Sequence, residues 1–248
     1  MKLENGISVV LLAYKEADNL RVLLPDIISQ MKGIGEPYEI LVVDTMKPLD
    51  DTEDVCKQYN AVYQNQEEAA FGGAFKTGIK YARKEKFLIM DSDGSHQPKY
   101  IPNLYEKFVS DGCDVVIGSR YVKGGKTNDS ALSHAISLIL NTVFRICIGI
   151  RAHDLSTDFR LYDTYQLKRV KLKCMNYDVL QEVLLKLQLK NRKLKIGEVP
   201  ITFEKRLYGE TKRQLVKFMI SYLKTLFYLM DIRIRYGLKR FRTGRRKR

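Results

Sequence analysis

Phe87-Leu88-Ile89-Met90-Asp91-Ser92-Asp93-Gly94-Ser95-His96-Gln97-Pro98 sets the architecture to expect of this chain. Four apolar residues predict a buried strand, and the strand delivers two acids where Gly94 and Pro98 break it. Carboxylates two apart at such a turn can share one ion, held directly by one and directly or through water by the other. Hard oxygen ligands suit Mg²⁺ or Mn²⁺, which bind through one or two carboxylates plus substrate phosphates. With 16 Asp among 248 residues, about one Asp-x-Asp arises by chance. The pair therefore takes its meaning from its surroundings.

Outward from that stretch, apolar runs alternate with helical patterns. Ile7–Leu12 predicts a first strand ending at Tyr14-Lys15-Glu16, and a helix follows with Asp18 or Asn19 as its cap and Leu20, Leu23, Leu24 and Ile27 at helical spacing. Glu39–Val43 predicts a second strand with Asp44 at its carboxyl end, and Asp51–Asp54 opens a helix with the acids its dipole favours. Ala61–Tyr63 predicts a short strand, Phe71–Ala82 a helix, Pro102–Val109 another, and Asp114–Gly118 a further strand. The alternation predicts an α/β fold, a mostly parallel sheet flanked by helices. Ligands of such sheets bind beyond the carboxyl ends of the strands, where Glu16, Asp44, Asp91 and Asp93 all fall. The chain has no Gly-x-Gly-x-x-Gly after its first strand and no Gly-x-x-x-x-Gly-Lys-Ser/Thr, so a glycine-rich phosphate cradle is not expected.

Charge divides the chain. Residues 1–130 carry 16 Lys+Arg against 20 Asp+Glu, while residues 131–248 carry 27 against 9. A basic rear half predicts an anionic partner: phosphate-bearing substrate, acidic membrane surface or nucleic acid. Cys56, Cys113, Cys147 and Cys174 are scattered without metal spacing, which predicts reduced thiols in a cytoplasmic setting. The polar Met1–Gly6 does not read as a signal peptide.

Six segments, the Asp91–His96 stretch among them, carry a family resemblance in the right order. They are Leu12-Ala13-Tyr14-Lys15-Glu16, Val42-Val43-Asp44, Asp91-Ser92-Asp93-Gly94-Ser95-His96, Gly118-Ser119-Arg120-Tyr121-Val122-Lys123-Gly124-Gly125, Asp154–Arg160, and Glu198–Phe203 followed by Arg206-Leu207-Tyr208-Gly209-Glu210-Thr211-Lys212. Over about residues 7–212 the chain resembles family 2 glycosyltransferases of the GT-A fold, in particular dolichyl/polyprenyl-phosphate mannosyl- and glucosyltransferases. It departs from their pattern at Thr45, where a second acid is usual, and at Ser95, where mannosyl enzymes often carry a metal-contacting Gln. His134 stands where a phosphate-reaching arginine is expected.

The resemblance implies a nucleotide-sugar donor bound through Tyr14, Glu16, Asp44 and Asp91, with a metal on Asp91 and Asp93. A metal there acts as Lewis acid on the departing diphosphate. The acceptor decides the rest. A polyprenyl phosphate is already an anion and needs cations to place it, for which Arg120, Arg206 and Lys212 are the candidates beside Asp93. A sugar hydroxyl, the acceptor of a polysaccharide glycosyltransferase, needs a carboxylate base, for which Asp154 or Asp158 would serve. His96 reads as a structural histidine, His134 and His153 as exposed, and Arg160 as an ion-pair partner of Asp154 or Asp158.

At the rear, Leu215–Met230 interleaves apolar residues with Gln214, Lys217, Ser221, Lys224 and Asp231, predicting an amphipathic helix. Residues 233–248 then hold nine Lys/Arg and no acid. Helix and tail together form the two-signal arrangement that holds a protein on an anionic bilayer. The organisation expected is a catalytic domain over 1–212 and a membrane appendage over 213–248, peripheral on the cytosolic face, with a membrane-anchoring subunit or homo-oligomer as further partner. A nucleic-acid-binding protein is the reading from another class. The net-acidic front half and the lack of a binding motif speak against it.

Overall fold

The computed structural model describes residues 2–128, 131–208 and 223–237, with only the backbone described at Ala131 and Ser133. Lys212, residues 209–222 and the polybasic residues 238–248 lie outside the described residues. The strands are β1 (Glu4–Leu12), β2 (Tyr38–Asp44), β3 (Val62–Asn65), β4 (Lys84–Asp91), β5 (Val115–Ser119), β6 (Lys126–Thr127), β7 (Arg160–Asp163), β8 (Ile196–Pro200) and β9 (Thr202–Phe203). The helices are α1 (Ala17–Ile34), α2 (Thr52–Gln58), α3 (Ala70–Tyr81), α4 (Ile101–Ser110), α5 (Ala131–Phe144), α6 (Thr164–Lys168), α7 (Val179–Lys190) and α8 (223–237).

Seven strands form one sheet in the order β3-β2-β1-β4-β7-β5-β8, and β6 pairs with β9 in a two-stranded sheet. Neighbours in the seven-stranded sheet are parallel except at β7, which runs antiparallel to both β4 and β5. Every strand the sequence predicted is present. The additions are β6, β7, β8 and β9, and among them β7 is the antiparallel one in the seven-stranded sheet, a four-residue strand headed by an arginine, which carries no alternating pattern for a sequence to show.

The central strands are buried on both faces, which explains why they read as continuous apolar runs. Val10, Phe87, Ile89, Ile117 and Tyr162 join the cluster under α3, α7 and α8. Val9, Leu11, Leu88, Met90 and Val116 join the cluster under α1 and α4. Asn19 does not cap α1 as expected: the helix begins at Ala17, and Asn19 instead donates to the Glu16 carboxylate from within it.

α8 lies on the first of these clusters. Leu226 and Leu229 are buried in it, and Thr225 and Tyr228 bond to the acids Asp178 and Glu182 at the start of α7. Its other face leaves Leu223, Phe227 and Ile234 exposed. Among the described residues no helix is long and apolar enough to cross a membrane.

Candidate active site

The carboxyl ends of β1, β2 and β4 bring Tyr14, Glu16, Asp44, Asp91 and Asp93 to one rim of the sheet. After β4 the chain turns sharply: the Asp91 N–H donates to His96 Nδ1 at 3.0 Å, and Gly94 takes a φ of +84°. A side chain at Gly94 would meet Leu207, so glycine is required there both for its backbone and for its space. His96 is buried, stacked on Phe159, with Nε2 3.1 Å from Thr157 Oγ1. Burial lowers its pKa and keeps the ring neutral, so it is the structural histidine the sequence suggested.

Asp93 stands between a hydroxyl and a guanidinium. Its Oδ1 accepts from Ser95 N at 2.9 Å and Ser95 Oγ at 2.5 Å, and its Oδ2 accepts from Arg206 Nε at 2.9 Å and Nη2 at 2.7 Å. Burial is the largest influence and opposes ionisation, yet the bonds from Ser95 and Arg206 outweigh it and hold the carboxyl below its ordinary value. Ser95 Oγ also lies 3.2 Å from Asp91 Oδ2, so the residue at the departure from the family pattern bridges the two acids. Glu16 completes the group, 3.8 Å from Arg206. Burial raises its pKa, against the pull of Asn19 and Arg206.

Two carboxylates, Asp93 and Glu16, thus share Arg206, and Asp91 is tied to Asp93 through Ser95. This surplus of hard oxygen donors fits a divalent cation such as Mg²⁺ or Mn²⁺, held by Asp91 and Asp93 with Ser95 beside them. Asp91, His96 and Asp158 also offer donor atoms within 4.8 Å of one another. His96 is a poor ligand in that set, because the lone pair of Nδ1 is already taken by the Asp91 N–H. Asp158 is buried behind Asp91, its pKa pushed well up by burial and by the neighbouring Asp91 charge. The sequence offered Asp158 as a base for a hydroxyl acceptor but gave no sign that it lies against Asp91, 67 positions away, because β7 is the element that brings it there.

The remaining candidates divide. Tyr14 is 54% exposed just past the end of β1. Asp44 is fully buried, with its carboxylate accepting from Thr45 N at 2.7 Å and from the Tyr63 hydroxyl at 2.9 Å. It therefore orders the rim from below, and burial raises its pKa. Asn65 donates to the same Tyr63 hydroxyl at 3.0 Å, so Tyr63 and Asn65 are rim residues that the sequence reading passed over.

Arg120 at the end of β5 grips Asp154 with Nε at 2.8 Å and Nη2 at 2.9 Å, and donates to Ser156 at 2.6 Å. Asp154 has no exposed surface. Burial is the largest influence on it, but Arg120 more than offsets it and holds the acid below its usual pKa. Arg160 pairs with neither Asp154 nor Asp158 through a hydrogen bond, contrary to expectation. Its buried guanidinium donates to the carbonyls of Leu155 and Leu180 and to the Tyr162 hydroxyl, where the loop before β7 and the start of α7 leave oxygens within reach. His134 packs edge-on against Tyr121, and His153 bonds to Glu198.

A mostly parallel sheet with acids converging at the carboxyl ends of its first, second and fourth strands is the architecture of the GT-A glycosyltransferases. Among solved structures, glucosyl-3-phosphoglycerate synthase from Mycobacterium tuberculosis, in complex with Mn²⁺, uridine diphosphate and glucosyl-3-phosphoglycerate, superposes with a TM-score of 0.71 at 17% identity, covering 92% of this chain and 80% of that one. The model of glycosyl transferase family 2 matches residues 8–170, and the chain belongs to that family. It is 33% identical over 232 residues to a dolichol-phosphate mannosyltransferase of Pyrococcus furiosus, covering 90% of this chain and 63% of that protein. It is 28% identical over 222 residues to a polyprenol monophosphomannose synthase of Mycolicibacterium smegmatis, covering 82% of this chain and 79% of that protein. The chain thus spans less than two thirds of the length of the Pyrococcus relative.

Proposed function

We propose that the protein is a metal-dependent inverting glycosyltransferase that moves a sugar from a nucleotide-sugar to a polyprenyl phosphate at the cytosolic face of a membrane. The observation that carries the choice of acceptor is the sealing of Asp154 and Asp158. A hydroxyl acceptor needs a base within hydrogen-bond reach. Asp154 is locked to Arg120, and Asp158 is enclosed behind Asp91. A phosphate acceptor needs neither. The names of the two relatives support the same acceptor.

In this reading Tyr14 offers a face for the base, and Asp44 fixes Tyr63 and Asn65 on the rim of the nucleotide site. Asp91 and Asp93, with Ser95 between them, would hold a divalent ion that neutralises the diphosphate as it departs. An acceptor phosphate oxygen attacks the anomeric carbon opposite the diphosphate. One C–O bond forms as the other breaks, and the electron pair leaves on the diphosphate. Arg206, about one third exposed at the rim, is the cation best placed to meet phosphate, while Arg120 shapes the site from a fixed ion pair. Lys212 keeps its proposed role from the sequence alone.

The membrane reading rests on the basic rear half and on two helices. α5 and the turn Arg145–Gly149 that continues it leave Ile139, Val143 and Ile146 exposed, and α8 leaves Leu223, Phe227 and Ile234 exposed. Arg233 of α8 joins the two by donating to Cys147 O just beyond α5. Apolar side chains ringed by basic ones suit a bilayer interface.

The test is incubation with labelled GDP- and UDP-sugars, polyprenyl phosphate and Mn²⁺, followed by lipid extraction. Label in the organic phase with one donor is expected. Label left in water with all donors, from protein that binds nucleotide, overturns the acceptor.

A further inference from the structure

A cavity of about 470 Å³ opens beside the end of α5, lined by Arg145, Gly149, Ile150, Arg151, Ala152 and His153. It contains none of the acids or cations of the nucleotide site. The backbone is specialised here: Arg145–Gly149 is a π-helical turn continuing α5, and Gly149 ends it at a φ of +70°. Such turns recur at functional sites. Arg233 lies across Gly149, where any Cβ would come within 2.7 Å of its guanidinium. The cavity therefore has a third arginine at its margin, fixed to Cys147 O.

The other two arginines are uncommitted. Neither the Arg145 nor the Arg151 side chain makes a hydrogen bond or ion pair with another described residue. Glu198 nearby is engaged by the His153 ring at 2.7 Å and by the His153 and Asp154 N–H groups. Cationic charge without a local counterion predicts an anion from outside. Guanidinium forks match the paired oxygens of a phosphate. Ile146, 70% exposed, follows Arg145 in the turn that continues α5, so the space for an anion borders a surface suited to acyl chain.

We propose that this cavity binds the phosphodiester headgroup of an anionic phospholipid, with Arg145 and Arg151 as its phosphate ligands and Arg233 at its edge. The site rests on the membrane reading above and adds a lipid contact separate from the acceptor. It would fix the rotation of the protein on the bilayer.

The test compares wild-type protein with Arg145→Gln/Arg151→Gln, Arg145→Lys/Arg151→Lys, and a charge-matched control, Lys224→Gln/Arg235→Gln on α8. Each is titrated with water-soluble dihexanoyl-phosphatidylglycerol, with inorganic phosphate, and with phosphatidylcholine vesicles with and without phosphatidylglycerol. The expected result is saturable binding of the soluble lipid by wild type and control, weakened by the lysine pair and lost with the glutamine pair. Affinity for anionic vesicles should fall about 30-fold in the glutamine pair, taking about fivefold per arginine near the surface. Equal losses in glutamine pair and control would mean diffuse surface charge and overturn the site. Inorganic phosphate binding as tightly as the lipid would make it a free-anion site and overturn the lipid assignment. Wild-type protein that saturates with soluble lipid but ignores every vesicle would sink the membrane reading and leave the cavity standing.

Discussion

Asp93 carries the sharpest consequence at the level of single side chains. Its two oxygens are divided between Ser95 and Arg206, so removing it frees a cation and leaves Asp91 alone to hold a metal. Asp93→Ala is expected to lower metal-dependent turnover by at least about 10²-fold while circular dichroism stays that of wild type. Wild-type rates would remove the metal role. Arg120 is expected to behave differently. Arg120→Ala abandons Asp154 as a buried, unpaired charge, at a cost of about 3–5 kcal/mol in urea unfolding. The same pair predicts a pH dependence. The folded Asp154 carboxyl sits below its ordinary pKa, so its stabilisation is present above the unfolded value of about 3.9 and disappears as pH falls through the folded one. The stability gap between wild type and Asp154→Asn should accordingly be full at pH 6 and close in acid below about pH 4. The acid pair at the end of β4 was legible because strand, turn glycine and proline are written side by side. Asp158 was picked out only as a possible base and Tyr63 not as a site residue, since only strand pairing carries them to Asp91 and Asp44.

Among the elements, α8 shows how far periodicity reaches. Its apolar positions announced a helix, and a wide apolar stripe alone could not say whether protein or lipid covers it. The structure divides the stripe: Leu226 and Leu229 face the α7 layer, while Phe227 faces solvent. Leu229→Ala is expected to destabilise the protein by about 2–5 kcal/mol in urea unfolding, as for other fully buried leucines. Phe227→Ala should leave stability nearly unchanged and weaken vesicle binding. If Leu229→Ala proves neutral, α8 is not part of the core. β7 was hidden for the opposite reason. Arg160 is wholly buried through carbonyl partners that come from elsewhere in the chain, and in a sequence such a residue looks like surface.

Taken whole, the molecule gathers acids of its front half, Glu16, Asp91 and Asp93, at one rim of the sheet, where Arg206 of the basic rear half meets Glu16 and Asp93. Chelation of divalent ions is expected to abolish sugar transfer, and Mn²⁺ or Mg²⁺ to restore it. Retention on anionic vesicles should fall steeply as salt rises, because screening shortens the reach of exposed charges to about 8 Å at physiological ionic strength. Retention independent of salt would mean that the apolar faces of α5 and α8 act alone.

The antiparallel strand at the middle of the sheet also governs the order in which the chain can assemble. β4 and β5 are not paired with each other, and each waits for β7, whose residues emerge from the ribosome some 70 positions after β4 ends. Strands β1, β2 and β3 can zip together early, with Ile7 opposite Tyr38 and Leu41 opposite Val62, whereas β4 reaches β1 with Ile7 opposite Lys86, and the seam joining β4 to β5 and β8 closes only after Arg160–Asp163 has been made. Long-range pairing of this kind is slow. A nascent chain ending before Arg160 would carry a half-built sheet with β4 as a bare edge, the natural place for a chaperone to hold.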